Sequence, residues 1–107
     1  MANRNLSLIE KQIAAIKAEL LEIGDMRPGS LTRQYRNPKD QTGPFYQISY
    51  THKTKSKTEY VRAHHLDDLR KQVDTYKKFK QLIDRWVELS IERSKIKMAI
   101  SNRETLK

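Results

Sequence analysis

The sequence predicts a mainly α protein: an N-terminal heptad helix, a central two-stranded β-hairpin and a long C-terminal helix, joined as a coiled-coil-like homo-oligomer. Three observations lead there. Apolar residues recur at alternating steps of three and four near both ends of the chain. In the middle, aromatic and polar residues alternate strictly, as on a strand. No glycine or proline interrupts residues 66–107, so nothing in that stretch stops a helix.

The first helix is expected over 6–25. Leu6, Ile9, Ile13, Ile16, Leu20 and Ile23 form a narrow apolar seam of the a/d kind. Gly24 is the expected C-cap, and "RPGSL" supplies a proline and a glycine that end the helix in a turn. Residues 27–43 then read as a polar, basic loop without apolar periodicity, carrying Arg27, Arg33, Tyr35, Arg36 and Lys39. The hairpin is expected over 44–62. Tyr46, Ile48 and Tyr50 point to one face of its first strand, Phe45, Gln47, Ser49 and Thr51 to the other, and "HKTKSK" is the turn. A lone hairpin is marginal in water, so one of its faces must pack on the helices or on a second copy.

The last helix is expected over 66–101. Leu66, Leu69, Val73 and Tyr76, then Phe79, Leu82, Trp86, Leu89, Arg93, Ile96 and Ile100, continue the three-and-four rhythm. Ile83, Val87 and Ile91 widen the stripe into a second apolar face. A helix with two apolar faces needs more than one partner, which favours a homo-oligomer, with a dimer first among the options. Ile9, Ile13, Ile16, Leu20, Leu82, Trp86, Leu89 and Ile96 are the residues expected at its interface.

Length bounds the rest: 107 residues make one domain. There is no cysteine, which excludes disulfides and thiolate metal sites. The first residues hold no long apolar run, so a signal peptide, a membrane span and a membrane partner are not expected, and the chain is assigned to the cytoplasm. The net charge of +9 points to a polyanionic partner. Residues 27–80 carry thirteen Lys/Arg against five Asp/Glu, so the excess is central.

Chemistry is sparse. His64 and His65 adjoin Asp67 and Asp68, but no second cluster supplies further ligands; the aspartates suit the positive end of a new helix and the histidines a surface. Neither a metal nor a cofactor is expected. No catalytic triad, phosphate-cradling glycine loop or carboxylate pair can be assembled, and Asp84, Glu88 and Glu92 read as a solvated helix face, so a non-enzyme is expected. The basic set stands out. Arg27, Arg33, Arg36, Lys53, Lys55, Lys57 and Arg62, extended by Lys77 and Lys78, are candidates for phosphate contacts. Tyr35, placed in the loop, is the candidate for stacking on a base, while Tyr46, Tyr50 and Tyr60 read as strand residues packing the hairpin on the helices. Lysines in a turn also guard a strand edge against aggregation.

The order of "RPGSL", "GPFY", a Lys-rich turn followed by "YVR", and "YKKFKQL" resembles a small uncharacterised bacterial and archaeal family often encoded with transposons. The likeness covers Ile23 to Glu88. Many members carry closely spaced cysteines between the "PGSL" and "GP" parts; here that stretch reads "TRQYRNPKDQT", so this chain is a cysteine-free variant and a zinc site is not carried over. The resemblance implies a mobile-element setting. The functional expectation is therefore a non-enzymatic accessory protein that binds DNA or RNA beside a larger mobile-element enzyme or its ribonucleoprotein. The rival is a helical protein-interaction module, or small regulator, for an acidic protein partner.

Overall fold

The computed structural model describes residues 2–105, with side chains described over 6–103. Its elements run α1 (Ala2–Leu21), β1 (Ser30–Asn37), β2 (Thr42–His52), β3 (Lys55–Val61), a 3-10 turn (Ala63–His65) and α2 (Leu66–Thr105). The three strands form one antiparallel sheet in the order β1-β2-β3. This corrects the expected fold class: two helices accompany a three-stranded antiparallel sheet, not a two-stranded hairpin. The strand the sequence hid is β1, inside the stretch read as a basic loop.

The chain forms two compact units, Gly24–Lys78 and the pair Met1–Ile23 with Phe79–Lys107. In the sheet unit, β1 pairs with β2 from Ser30↔Ser49 to Asn37↔Thr42, and β2 with β3 from Tyr46↔Val61 to His52↔Lys55. Side chains alternate across a strand, so Leu31, Tyr46, Ile48 and Val61 share one face. That face meets Leu66, Leu69 and Val73 on the first turns of α2, with Ile48 fully buried at the centre. Burying a side chain of this size stabilises by about 2–3 kcal/mol. Gly29 is required here: its φ is 149°, and a Cβ would come 2.7 Å from Ile48 Cγ1, so "RPGSL" serves close approach of the backbone to the core.

In the helical unit, α1 lies antiparallel to the later part of α2, with Glu10 ion-paired to Arg93 at 3.5 Å and the Lys17 ammonium 5.4 Å from the Trp86 ring centroid. Ile9, Ile13, Ile16 and Leu89 are buried together, and Leu20, Leu82, Trp86 and Ile96 pack against them. All eight residues expected between copies thus fill a seam within one chain. The six-position heptad is not realised as a whole: α1 ends at Leu21, which is 85% exposed, and Ile23 falls beyond it. The end is made by tight bonds, Glu22 N–H to Glu19 O and Ile23 N–H to Leu20 O, rather than by Gly24, whose φ is not positive.

Asp67 and Asp68 occupy the first turn of α2, where unpaired amides favour negative charge, and Asp68 accepts a 2.9 Å bond from the Gln72 amide. No helix among the described residues is long and apolar enough to cross a membrane.

Candidate nucleic-acid interface

From Ser30 to Arg62 the chain carries seven cations, Arg33, Arg36, Lys39, Lys53, Lys55, Lys57 and Arg62, against two acids, Asp40 and Glu59. Both acids are engaged. Asp40 accepts a 2.8 Å bond from the Asn37 amide, and Glu59 receives Arg27 at 2.6 Å and the Tyr50 hydroxyl at 2.9 Å. Among the described residues none of the seven cations forms an ion pair.

Arg27 differs from the rest of the predicted set. Its guanidinium also lies over the Tyr50 ring, 5.2 Å from the centroid, and its amide donates to Gln72 O on α2 at 3.1 Å. It ties the segment before β1 to both β3 and the helix. The hydrogen bond from Arg27, reinforced by the one from Tyr50, holds the Glu59 carboxyl below the ordinary carboxylate range, and donation to Glu59 raises the Tyr50 hydroxyl above its usual value.

The two-residue turn between β2 and β3 is Lys53-Thr54, with φ of 52° and 65°. Such a turn wants Asn-Gly, because left-handed backbone costs about 1–2 kcal/mol per ordinary residue and suits a β-branched threonine least. The Thr54 hydroxyl donates to Lys53 O at 2.6 Å, which offsets part of that cost. The turn thus keeps a lysine where backbone geometry disfavours one. Beside it, Tyr50, His52, Lys53, Lys55 and Lys57 line a cleft of about 260 Å³. The strand register puts His52 opposite Lys55 and Tyr50 opposite Lys57, so the three lysines converge on one end of the sheet.

Two further groups lie toward the other end. Arg33 stands 5.5 Å from the Tyr35 ring centroid on the helix-side face, and Arg36 stands 5.9 Å from Phe45 on the open face. Gly43, at φ 66°, lies where a Cβ would come 3.1 Å from Arg36 Cβ, so its lack of a side chain leaves the arginine room to lie along β2. Tyr35, the expected stacking residue, is half-buried in a strand rather than displayed on a loop.

The open face holds what sequence reasoning missed. Tyr60 is 60% exposed and sits opposite Gln47, diagonal to Phe45, so it does not pack the hairpin on the helices. Apart from Arg36, the face around these aromatics is uncharged and polar, with cross-strand hydroxyl pairs Ser49–Thr58 at 3.0 Å and Thr51–Ser56 at 2.9 Å. The alternation already put Phe45 opposite in sense to Ile48; knowing which face α2 covers was the missing signal.

Arg62, Lys77 and Lys78 are exposed, the first just after β3 and the others about three turns into α2. His64 and His65 lie ring to ring at 4.0 Å, both exposed, and among the described residues no group of three or more His, Cys, Asp or Glu is placed to hold a metal ion. No protein-family model, curated protein or solved structure matches the chain.

Proposed function

We propose that the sheet unit is a non-enzymatic nucleic-acid-binding surface. The observation that carries this reading is the charge of residues 30–62, where seven cations, none in an ion pair among the described residues, accompany two acids already bonded within the chain. Lysine and arginine not held in internal ion pairs are available to phosphates, whose binding is driven by counterion release. Lys53, Lys55 and Lys57 form the densest group and hold the backbone. Arg33, Arg36, Arg62, Lys77 and Lys78 extend the path, while Arg27 shapes the surface through Glu59.

The open face favours unpaired bases over duplex. Phe45 and Tyr60 offer neighbouring rings for stacking, and Gln34 and Gln47 lie on the same face as sequence-tolerant hydrogen-bonding groups. The setting proposed is cytoplasmic, as an accessory to a larger mobile-element enzyme or ribonucleoprotein, in keeping with the resemblance of the "RPGSL" to "YKKFKQL" stretch.

The test is replacement of Lys53, Lys55 and Lys57 together by Glu. Affinity for a single-stranded oligonucleotide falls at least about a hundredfold at physiological salt, and the slope of log affinity against log salt becomes shallower by about 2. An unchanged affinity and slope would remove the sheet from the binding surface.

A further inference from the structure

The helical unit leaves one apolar face uncovered. With about 100° per residue, Val87, Ile91 and Met98 lie on the side of α2 away from Leu82, Leu89 and Ile96, which face α1. The three are 53%, 51% and 56% exposed, and with Ile83, Ser90 and Ser94 they line an open groove. Val87, Ile91, Ser94 and Met98 step by four, three and four, the spacing of a coiled-coil seam. Half-exposed aliphatic side chains set in such a row mark an interaction surface rather than scattered surface apolarity.

We infer that this face is covered by a second copy of the chain, with the two α2 helices antiparallel about a two-fold axis near Ser90 and Ile91. Charge selects the occupant. Asp84 and Lys95 lie on the same flank of the groove, on opposite sides of the proposed axis, and among the described residues neither has an ion-pair partner. An antiparallel copy brings Asp84 of each chain alongside Lys95 of the other, making the same pair twice, as a two-fold interface requires. A parallel copy carries the Asp84 and Lys95 flank of each chain to opposite sides of the interface, so neither pair forms. Register follows: Ile83 faces Met98 of the second copy and Val87 faces Ser94, a large residue against a small one. Ser90 sits at the axis, where its small side chain lets the helices approach.

This inference stands on the helical unit alone and does not depend on nucleic-acid binding by the sheet. The test uses the full chain without nucleic acid. Sedimentation or light scattering is expected to give twice the chain mass, and Val87→Glu with Ile91→Glu to reduce it to the single-chain mass with helical circular dichroism retained. A wild-type monomer, or a double variant that folds and stays dimeric, would overturn the inference. Because the native chain has no cysteine, single cysteines report the geometry whether or not the double variant folds. Ser90→Cys is expected to cross-link on oxidation and Met98→Cys to stay uncross-linked. Cross-linking of Met98→Cys with itself would contradict the antiparallel arrangement.

Discussion

The helical unit and the sheet unit solve the problem of a small core in opposite ways. The first buries Ile9, Ile13, Ile16 and Leu89 along one helix seam and leaves Val87, Ile91 and Met98 bare on another. The second buries Ile48 and Val61 against the start of α2 and turns a polar, aromatic and basic surface to solvent. Twelve Lys/Arg against six Asp/Glu lie in residues 24–78, and ten against seven in the remainder. The contrast teaches that the two units leave different surfaces bare, an apolar helix stripe in one and a basic sheet in the other. What a unit leaves exposed is as informative as what it buries.

Truncating the two cores tests this division with the largest effects. Ile48→Ala and Leu89→Ala each remove a side chain with almost no exposure and are expected to cost about 2–5 kcal/mol, read from denaturant midpoints. Hydrogen exchange locates the loss: Ile48→Ala loosens the amides of β1 to β3, whereas Leu89→Ala loosens those of α1. Uniform loosening of both regions by either change would erase the distinction between the units.

Gly29→Ala comes next. The added Cβ meets Ile48 Cγ1 at 2.7 Å and Cδ1 at 2.8 Å on a backbone that disfavours it, so a loss of about 3 kcal/mol is expected, confined to the sheet unit. A stability within about 0.5 kcal/mol of wild type would show that the "RPGSL" glycine is not a packing requirement.

Lys53-Thr54→Asn-Gly sharpens the comparison in the other direction. Relief of two left-handed residues is expected to stabilise the sheet by about 1–2 kcal/mol while weakening single-strand binding through loss of Lys53. Gain of stability with full affinity would mean that the strained lysine serves no contact. The smallest effect is one of pH. Glu59 titrates below its ordinary value in the fold, so its contribution to stability is complete above the usual carboxylate range and is lost as pH falls through the lowered value. Tyr50 is raised, so its contribution holds below pH 10.0 and fades as pH rises through the raised value. Glu59→Gln is expected to flatten the acid side of the stability profile; an unchanged acid limb would show that the Arg27–Glu59–Tyr50 cluster is not coupled to folding.

Much of this was legible in the residues. The three-and-four rhythm marked both helices, and alternation from Phe45 to Tyr50 marked β2 and its faces. The strand β1 was illegible because "SLTRQYRN" buries no residue fully and only Leu31 packs against the core; it is an edge strand, held by its ladder to β2, and backbone bonds leave no periodic trace. The basic set was visible as charge alone. That Arg27 belongs to Glu59, while Lys53, Lys55 and Lys57 gather around one cleft, depends on strand register. The apolar seam was visible too, but its use within one chain required the antiparallel fold of α1 on α2, and that left the second stripe, Val87 and Ile91, as the open one.

The most direct test of the central claim is the affinity of the wild-type chain for labelled single-stranded RNA, duplex RNA and duplex DNA across a salt series. Tighter binding to the single strand is expected, with log affinity falling against log salt at a slope of about −3 to −5, as several phosphate contacts require. Absence of binding at low salt, or binding that ignores salt, would contradict it.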